Sequence, residues 1–196
     1  MFITLEGGEG VGKSTLALNL KKYFENLGKE VILTREPGGT KLAEQIRNMI
    51  LNNKMDNITE MFLFSAARND HLKNVILPAL NENKIVICDR FIDSSKVYQG
   101  LLNENNIYDE IEKLNQLILS EELIDFTFLL DMDPTLAIDR IKLNNRKTNR
   151  YDEIDIKQHK KIRNGFLSIA NNNKRIKIIN ANQSQKNILK DCISFL

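Results

Sequence analysis

Short apolar runs alternate with longer amphipathic segments along the chain, and this pattern predicts strands separated by helices. The apolar runs are rich in β-branched and aromatic residues, which is typical of strands buried on both faces of a parallel sheet. The predicted strands are Phe2–Glu6, Val31–Arg35, Ile85–Asp89, Phe126–Asp131 and Ile176–Asn180. Because the alternation continues through all 196 residues, it predicts an α/β fold: a five-stranded parallel sheet covered on both faces by right-handed crossovers.

The segments between the strands predict the helices. Gly28 ends the first helix, whose apolar face is formed by Leu16, Leu20, Tyr23, Phe24 and Leu27. Pro78 ends or kinks the third, because proline cannot donate the helical hydrogen bond. After the first, helices are predicted at residues 40–52, 57–77, 107–122, 134–143, 154–171 and 184–195.

Composition then limits the possible classes of protein. Hydrophobic residues make up 42% and charged residues 28%, a globular balance, and no linker or repeat divides residues 1–196, so we predict a single domain. A net charge of +2 argues against general nucleic-acid binding. No apolar run reaches membrane-spanning length, and a strand directly follows Met1, so the expectation is a cytoplasmic protein without membrane or nucleic-acid partners. Two cysteines and two histidines argue against a disulfide framework or a transition-metal enzyme.

One segment departs from this near-neutral balance. Residues 140–163 hold nine basic and three acidic side chains, a local charge of +6, which leaves −4 for the rest of the chain. A compact cationic region in a near-neutral protein favours a small anionic ligand over a long polyanion.

The strongest motif lies between the first strand and the first helix. The sequence G-G-E-G-V-G-K-S at residues 7–14 matches G-x-x-x-x-G-K-[ST] in the strand–loop–helix context that this phosphate-binding loop (P-loop) requires. Its glycines let main-chain N–H groups converge on phosphate oxygens, and the helix N-terminus adds positive charge. Lys13 is placed to bridge the β- and γ-phosphates, and the Ser14 hydroxyl to bind Mg²⁺.

A GTPase switch is a first alternative, because residues 53–56 read N-K-M-D, a guanine-reading string. The string follows an amphipathic helix instead of a buried strand, and no aspartate has a glycine three positions later, so a D-x-x-G switch element is missing. We interpret residues 53–56 as a polar loop.

A second phosphate-handling element follows the third strand. Asp89 is placed to join the Mg²⁺ shell, and Arg90 can contact a second phosphate with two parallel hydrogen bonds. A strand-end salt bridge is the alternative interpretation.

Together these stretches resemble the thymidylate kinase family, over nearly the whole chain. The resemblance is carried by F-I-T-L-E-G (2–7), T-R-E-P-G-G-T (34–40), F-S-A-A-R (64–68), D-R-F-I-D-S-S-K-V-Y-Q-G (89–100) and L-L-D-M-D-P (129–134), followed by an arginine-rich lid at about residues 141–153. It implies a P-loop nucleoside monophosphate kinase-like fold, direct in-line transfer from ATP to dTMP with Mg²⁺ in dTTP biosynthesis, and a homodimer.

The same resemblance assigns an acceptor site. Glu9 would contact the 3′-hydroxyl of dTMP, Phe64 would stack on thymine, Arg68 would bind a base carbonyl, and Arg90 would bind the phosphate. The remaining residues of the site would be Ser94 and Ser95 at the base edge, Tyr98 against ribonucleotides, Gln99 in support, and Pro37 in the wall.

On the donor side, the P-loop lacks a cation beyond Lys13, so the resemblance is to the bacterial type, in which the lid supplies a catalytic arginine. Arg146 or Arg150 is the candidate. The predicted catalytic set is Glu9, Lys13, Arg90, Arg146 and Arg150. The predicted ATP-binding set is Gly7, Gly8, Glu9, Gly10, Val11, Gly12, Lys13, Ser14, Thr15 and Arg140, with Ser14 and Asp89 as metal ligands. The adenine would lie near Ala181 and Asn182.

Two alternatives stay open at this point: another small nucleoside or nucleotide kinase, and a nucleotide-dependent switch or assembly protein.

Overall fold

In the computed structural model, five strands form one parallel sheet in the order β2-β3-β1-β4-β5. The structure describes residues 1–102, 107–143, 154–171 and 173–196. The strands are β1 (Phe2–Glu6), β2 (Val31–Arg35), β3 (Ile85–Asp89), β4 (Phe126–Asp131) and β5 (Ile176–Asn180). The predicted fold class and all five predicted strands are confirmed.

Strand β1 is the centre of the sheet. Ile3 pairs with Ile87 on β3 and with Phe126 on β4, and all five residues of β1 are buried. Since parallel strands end at the same edge of a sheet, the last residues of β1 and β3, Glu6 and Asp89, lie at that edge with the loops that follow them.

Helices occupy most of the chain between the strands. They are α1 (Lys13–Asn26), α2 (Lys41–Asn52), α3 (Asn57–His71), α4 (Leu77–Asn81), α5 (Ile92–Ser95), α6 (Tyr108–Ile118), α7 (Pro134–Leu143), α8 (Ile156–Asn171) and α9 (Gln185–Ile193). A 3-10 turn covers Glu121–Leu123, and π-helical turns cover Leu72–Ile76 and Lys96–Leu101. Within the described ranges, no helix has the length and apolar character needed to cross a bilayer.

Two helical regions differ from the prediction. The third helix does not end before Pro78; its hydrogen bonding changes to the π pattern at Leu72, and the chain stays helical to Asn81. Residues 92–101 are helical although no helix was predicted there. Most of their polar side chains are buried or half-buried instead of forming an outer polar face, so the amphipathic signal is weak.

Gly28 ends the first helix, as predicted. Gly28 follows α1 with φ of 74°, and the Thr40 hydroxyl caps α2 by accepting from the Ala43 N–H at 2.9 Å. Leu27, in contrast, is 57% exposed, because α1 ends at Asn26 and the residue leaves the buried face.

Hydrophobic clusters cover both faces of the sheet. Ile3 and Leu5 pack with Leu16 and Leu20 of α1 on one face, and Phe2 packs with Ile76 and Phe91 on the other. Both cysteines are free and buried, and burial raises their thiol pKa values, that of Cys192 to about 12.

Candidate active site

The P-loop connects β1 to α1 in a conformation that only glycine tolerates at key points. Gly7 and Gly10 have φ of 134° and 74°. A Cβ on Gly7 would lie 2.5 Å from the carbonyl oxygen of Leu130, and a Cβ on Gly10 would lie 2.4 Å from that of Ala137. The loop therefore lies directly against β4 and α7, which fixes its course.

Lys13, the first residue of α1, folds back over this loop. Its Nζ donates to the carbonyl oxygens of Gly8, at 2.7 Å, and Gly7, at 3.1 Å. Burial, and secondly the nearby Arg90, lower its pKa to about 8. An ammonium that has lost most of its water attracts a phosphate strongly.

Ser14 and Asp89 are 75 positions apart in sequence but adjacent in space. The Ser14 hydroxyl donates to Asp89 Oδ2 at 2.8 Å. Both side chains offer hard oxygen ligands beside the phosphate-binding loop. In such sites Mg²⁺ is commonly held by one or two protein oxygens together with the phosphates. Their arrangement fits the predicted metal role.

Arg90 follows β3 in a left-handed conformation, with φ of 69°, which is uncommon outside glycine. Two contacts of the Arg90 main chain hold the turn. The Arg90 N–H donates to the Leu5 carbonyl, and the Arg90 carbonyl accepts from the Cys88 thiol at 3.0 Å. The guanidinium donates to Glu9 Oε1 at 2.6 Å and lies over the Tyr98 ring. Burial alone would lower the pKa of Arg90, but Glu9 and other anions raise it overall, so the group stays cationic.

A buried carboxylate supports the same turn from below. Glu6, which is 1% exposed, accepts from the Phe91 N–H at 2.8 Å and from the Ser94 hydroxyl at 2.6 Å. Burial, and secondly Asp93, raise the pKa of Glu6 to about 7. Glu6 thus joins the end of β1 to α5, which carries the predicted base-edge serines.

Ion pairs hold the far side of this helical segment. Arg175 forms a two-bond pair with Asp93, at 2.8 and 3.0 Å. Lys96, 4% exposed, pairs with Glu112 of α6 at 2.8 Å and with Glu121. The segment that presents Ser94 to Gln99 is therefore tied to three other parts of the chain.

Arg68 lies in the wall of the same site and is 2% exposed. Its guanidinium donates to Glu36 at 2.8 Å, Asn115 at 3.0 Å, Ser95 at 2.8 Å and the Phe91 carbonyl at 3.2 Å. These contacts fix the orientation of an arginine that sequence alone places only on a helix face.

A cavity of about 440 Å³ brings the predicted residues together. All nine residues predicted for the acceptor line it: Glu9, Pro37, Phe64, Arg68, Arg90, Ser94, Ser95, Tyr98 and Gln99. From the donor and metal sets, Gly10, Gly12, Lys13, Ser14, Thr15, Asp89 and Arg140 also line it. Gly7, Gly8 and Val11 line a separate, smaller cavity.

Two further arginines line the cavity wall: Arg47, which the sequence did not single out, and Arg35, which belongs to the T-R-E-P-G-G-T motif. Arg47 of α2 donates to the Pro37 carbonyl at 2.9 Å, and Arg35 pairs with Glu44 at 3.1 Å. Burial, and secondly the positive charge of Arg35, lower the pKa of Arg47. A signal existed: Arg47 lies between Ala43 and Ile50 near the apolar side of α2.

The donor side is only partly within the described residues. Arg140 of α7 donates to the carbonyl of Ala181 at 3.2 Å, which connects the helix before the lid to the loop predicted for adenine. Arg146 and Arg150, and nearly all of the predicted lid at 141–153, lie outside the described residues.

A parallel sheet with a P-loop after its central strand, and a second cationic pocket facing that loop, define the class of P-loop nucleoside monophosphate kinases. The family model described as "Thymidylate kinase" matches residues 5–192. The thymidylate kinase of Clostridium novyi is 43% identical over 200 residues, covering 100% of this chain and 97% of its own length. That of Protochlamydia amoebophila is 43% identical over 207 residues, covering 100% and 91%. The crystal structure of thymidylate kinase from Ehrlichia chaffeensis superposes with a TM-score of 0.82 at 32% identity, covering 100% of this chain and 97% of that one.

The chain belongs to the thymidylate kinase family. It is a transferase that phosphorylates dTMP to dTDP in nucleotide biosynthesis, with ATP as the donor and a divalent metal implied by that donor. The predicted family and reaction are confirmed, and the switch-protein and other-kinase alternatives are set aside.

Proposed function

We propose that dTMP binds lengthwise in the 440 Å³ cavity, with its base at the Arg68 end and its phosphate at the Arg90 end, facing ATP on the P-loop. One observation carries this proposal: the acceptor residues and the phosphate-binding Lys13 and Ser14 line a single cavity. Residues 1–196 then act as one kinase domain, with a lid at about 141–153.

The base end has an aromatic wall and a fixed donor. Phe64 stacks on thymine, which contributes about 1–3 kcal/mol in comparable base–aromatic contacts. The second N–H of Arg68 Nη1, beside the one that Asn115 accepts, is assigned to a base carbonyl, and Ser95, Gln99 and Pro37 complete the pocket.

The phosphate end gathers cations. Arg90 and Arg47 converge from β3 and α2, and the acceptor phosphate, with a second pKa near 6, is largely dianionic at neutral pH. No strong general base is required, because the nucleophilic oxygen is already ionised. The barrier is mainly electrostatic, so the work of the site is to bring two polyanions into line.

The donor end uses Lys13 on the β- and γ-phosphates, with main-chain N–H groups of residues 7–15 around them. Mg²⁺ is the proposed metal, held by Ser14 and Asp89; when bound, it neutralises phosphate charge during transfer. Arg146 or Arg150 supplies further positive charge from the lid, and a transition-state arginine contributes about 10³–10⁵ in rate in related phosphoryl-transfer proteins.

Kinetics of paired variants test this orientation. Phe64→Ala and Arg68→Ala should raise KM for dTMP at least about tenfold while KM for ATP changes little, since tenfold is about 1.4 kcal/mol. Phe195→Ala is the matched control, because Phe195 is 43% exposed near the C-terminus and does not line the cavity. Equal effects on both substrates would contradict the placement of the base.

The proposal includes a cytoplasmic homodimer without a nucleic-acid partner. Large apolar side chains are exposed on α2, α3 and α6, and α3 packs against both of the other helices. These residues are Leu42, Met49, Ile58, Phe62 and Leu117. Sedimentation should give a particle mass twice that of one chain, and Phe62→Asp should lower this mass toward that of one chain. A dimer that persists in Phe62→Asp would show that this face is not the dimer interface.

A further inference from the structure

His71, the last residue of α3, is completely buried and is not among the residues that line the cavity. Both ring nitrogens have partners: Nδ1 lies 3.1 Å from Glu36 Oε1, and Nε2 lies 2.7 Å from Thr34 Oγ1. Since the carboxylate only accepts, a proton belongs on Nδ1, and in the neutral ring Nε2 accepts from the Thr34 hydroxyl.

Glu36 connects this ring to the cavity. Its second oxygen, Oε2, accepts from Arg68 Nε at 2.8 Å, and its side chain is 3% exposed. His71 and Arg68 are three residues apart on one helix face, so a single carboxylate is held by two donors from the same face.

The loop after β2 is shaped around the ring. A Cβ on Gly39 would lie 2.5 Å from His71 Cδ2 and Nε2, and 2.7 Å from Thr34 Oγ1. The loop therefore passes as close to the ring as a glycine main chain permits. This loop carries Glu36 and Pro37, so the ring fixes both the carboxylate and part of the cavity wall.

We propose that His71 is a positioning residue for thymine recognition: it holds Glu36, and through Glu36 the guanidinium of Arg68, without touching the nucleotide. The inference rests on the assignment of Arg68 to the base under the proposed function. Without His71, Glu36 Oε1 loses its donor in a dry environment, and the carboxylate has to turn to find another.

The consequence is specific to one substrate. When Glu36 turns, Arg68 Nε loses its fixed partner, and the guanidinium plane is no longer set for the base. KM for dTMP should rise about tenfold in His71→Leu, with kcat and KM for ATP within about twofold, because a tenfold change corresponds to about 1.4 kcal/mol, the scale of one buried hydrogen bond.

Three substitutions separate positioning from simple packing. His71→Asn places an amide N–H near the position of Nδ1 and retains the Glu36 contact. His71→Gln places its amide near Nε2 and retains only the Thr34 contact. We expect His71→Asn to return KM for dTMP to within about threefold of the wild type, and His71→Gln to stay near the value of His71→Leu.

The unfolding midpoint of each variant is measured alongside its kinetics. The inference is wrong if KM for dTMP varies among the variants with the unfolding midpoint and not with the presence of the Glu36 contact. It is also wrong if His71→Gln restores KM for dTMP and His71→Asn does not. If His71→Leu does not fold, the comparison of Asn with Gln decides.

A double-substitution cycle gives an independent readout. In an Arg68→Ala background, His71→Leu should raise KM for dTMP by less than about twofold, because the residue it positions is gone. A full tenfold effect in that background would overturn the inference. If Arg68→Ala itself leaves KM for dTMP unchanged, the proposed function fails; if Arg68→Ala raises it and His71→Leu does not, only this inference fails.

Discussion

Arg90 donates a hydrogen bond of 2.6 Å from its guanidinium to the carboxylate of Glu9, and this contact joins the turn after β3 to the P-loop. Strand β1 lies next to β3 in the sheet, so the two loops emerge side by side at the same edge. The P-loop and the proposed acceptor pocket are thereby held at one spacing.

Substitution of Arg90 should therefore affect catalysis strongly. We expect Arg90→Ala to lower kcat/KM for dTMP about 10²–10³-fold, the usual loss when one preorganised donor is removed from a charged transition state. Arg90→Lys should recover only part of this loss, because an ammonium cannot make the planar two-bond contact. Steady-state kinetics with dTMP varied at saturating ATP measure both; full recovery by lysine would show that charge alone matters.

Lys13 should show a trade between activity and stability. Lys13→Met should lower kcat about 10²–10³-fold, yet the protein should stay folded and be at least as stable at pH 7. The reason is that the fold lowers the pKa of Lys13 from 10.5 to about 8, so the charged form is disfavoured by burial.

The sign of the pH dependence follows from that pKa. Between pH 8 and 10.5 the unfolded chain holds the Lys13 proton and the folded chain releases it, so the free energy of unfolding should rise with pH. Urea unfolding across this range should show that the free energy of unfolding rises with pH in the wild type. In Lys13→Met, the part of this rise that comes from Lys13 should be absent. Identical curves would contradict the buried charge.

Ser14 and Asp89 should govern the metal requirement. Ser14→Ala and Asp89→Asn should each raise the Mg²⁺ concentration that gives half-maximal activity, because each removes one hard oxygen near the phosphates. Ser194→Ala serves as the control, since its hydroxyl donates to the Asp191 carbonyl near the C-terminus. Unchanged Mg²⁺ titrations in both site variants would remove the pair from the metal site.

Tyr98 should control discrimination between sugars. Tyr98→Ala should reduce the preference for dTMP over ribothymidine monophosphate about tenfold or more, because a small side chain leaves room for the 2′-hydroxyl. Tyr98→Phe should keep the preference, since the ring and its contact with Phe166 remain. The ratio of kcat/KM values for the two nucleotides is the measurement, and a preference retained in Tyr98→Ala would assign the exclusion elsewhere.

Glu6 should leave a signature in the stability curve near neutral pH. The folded state raises its pKa from 4.5 to about 7, so the folded chain holds the proton more tightly across this range. Its contribution to the free energy of unfolding is full below pH 4.5 and is lost as the pH rises through 7. Urea unfolding from pH 4.5 to 7.5 should show this decline in the free energy of unfolding for the wild type but not for Glu6→Gln. A decline of the same size in the variant would exclude Glu6 as its source.

The same geometry shows where prediction from sequence stops. The P-loop was predictable because strand, loop and helix are contiguous at residues 2–26, and local sequence dictates each. The contact of Arg68 with Asn115 joins residues 47 positions apart, and no local pattern encodes it. Helical spacing places Arg47 near the apolar side of α2, but it does not show what the side chain contacts, because its partner, the Pro37 carbonyl, is a main-chain group that leaves no trace in the sequence.

By itself, the sequence determined the five strands, the phosphate loop and, through its motifs, the family, because these depend on hydrophobic period and on contiguous residues. Only the tertiary structure decided which buried groups hold the site in shape: Glu6 beneath Ser94, Glu36 between Arg68 and His71, and the helical course of residues 92–101. Those choices arise where parallel strands bring distant segments to one edge and the loss of water makes an unpaired polar group costly.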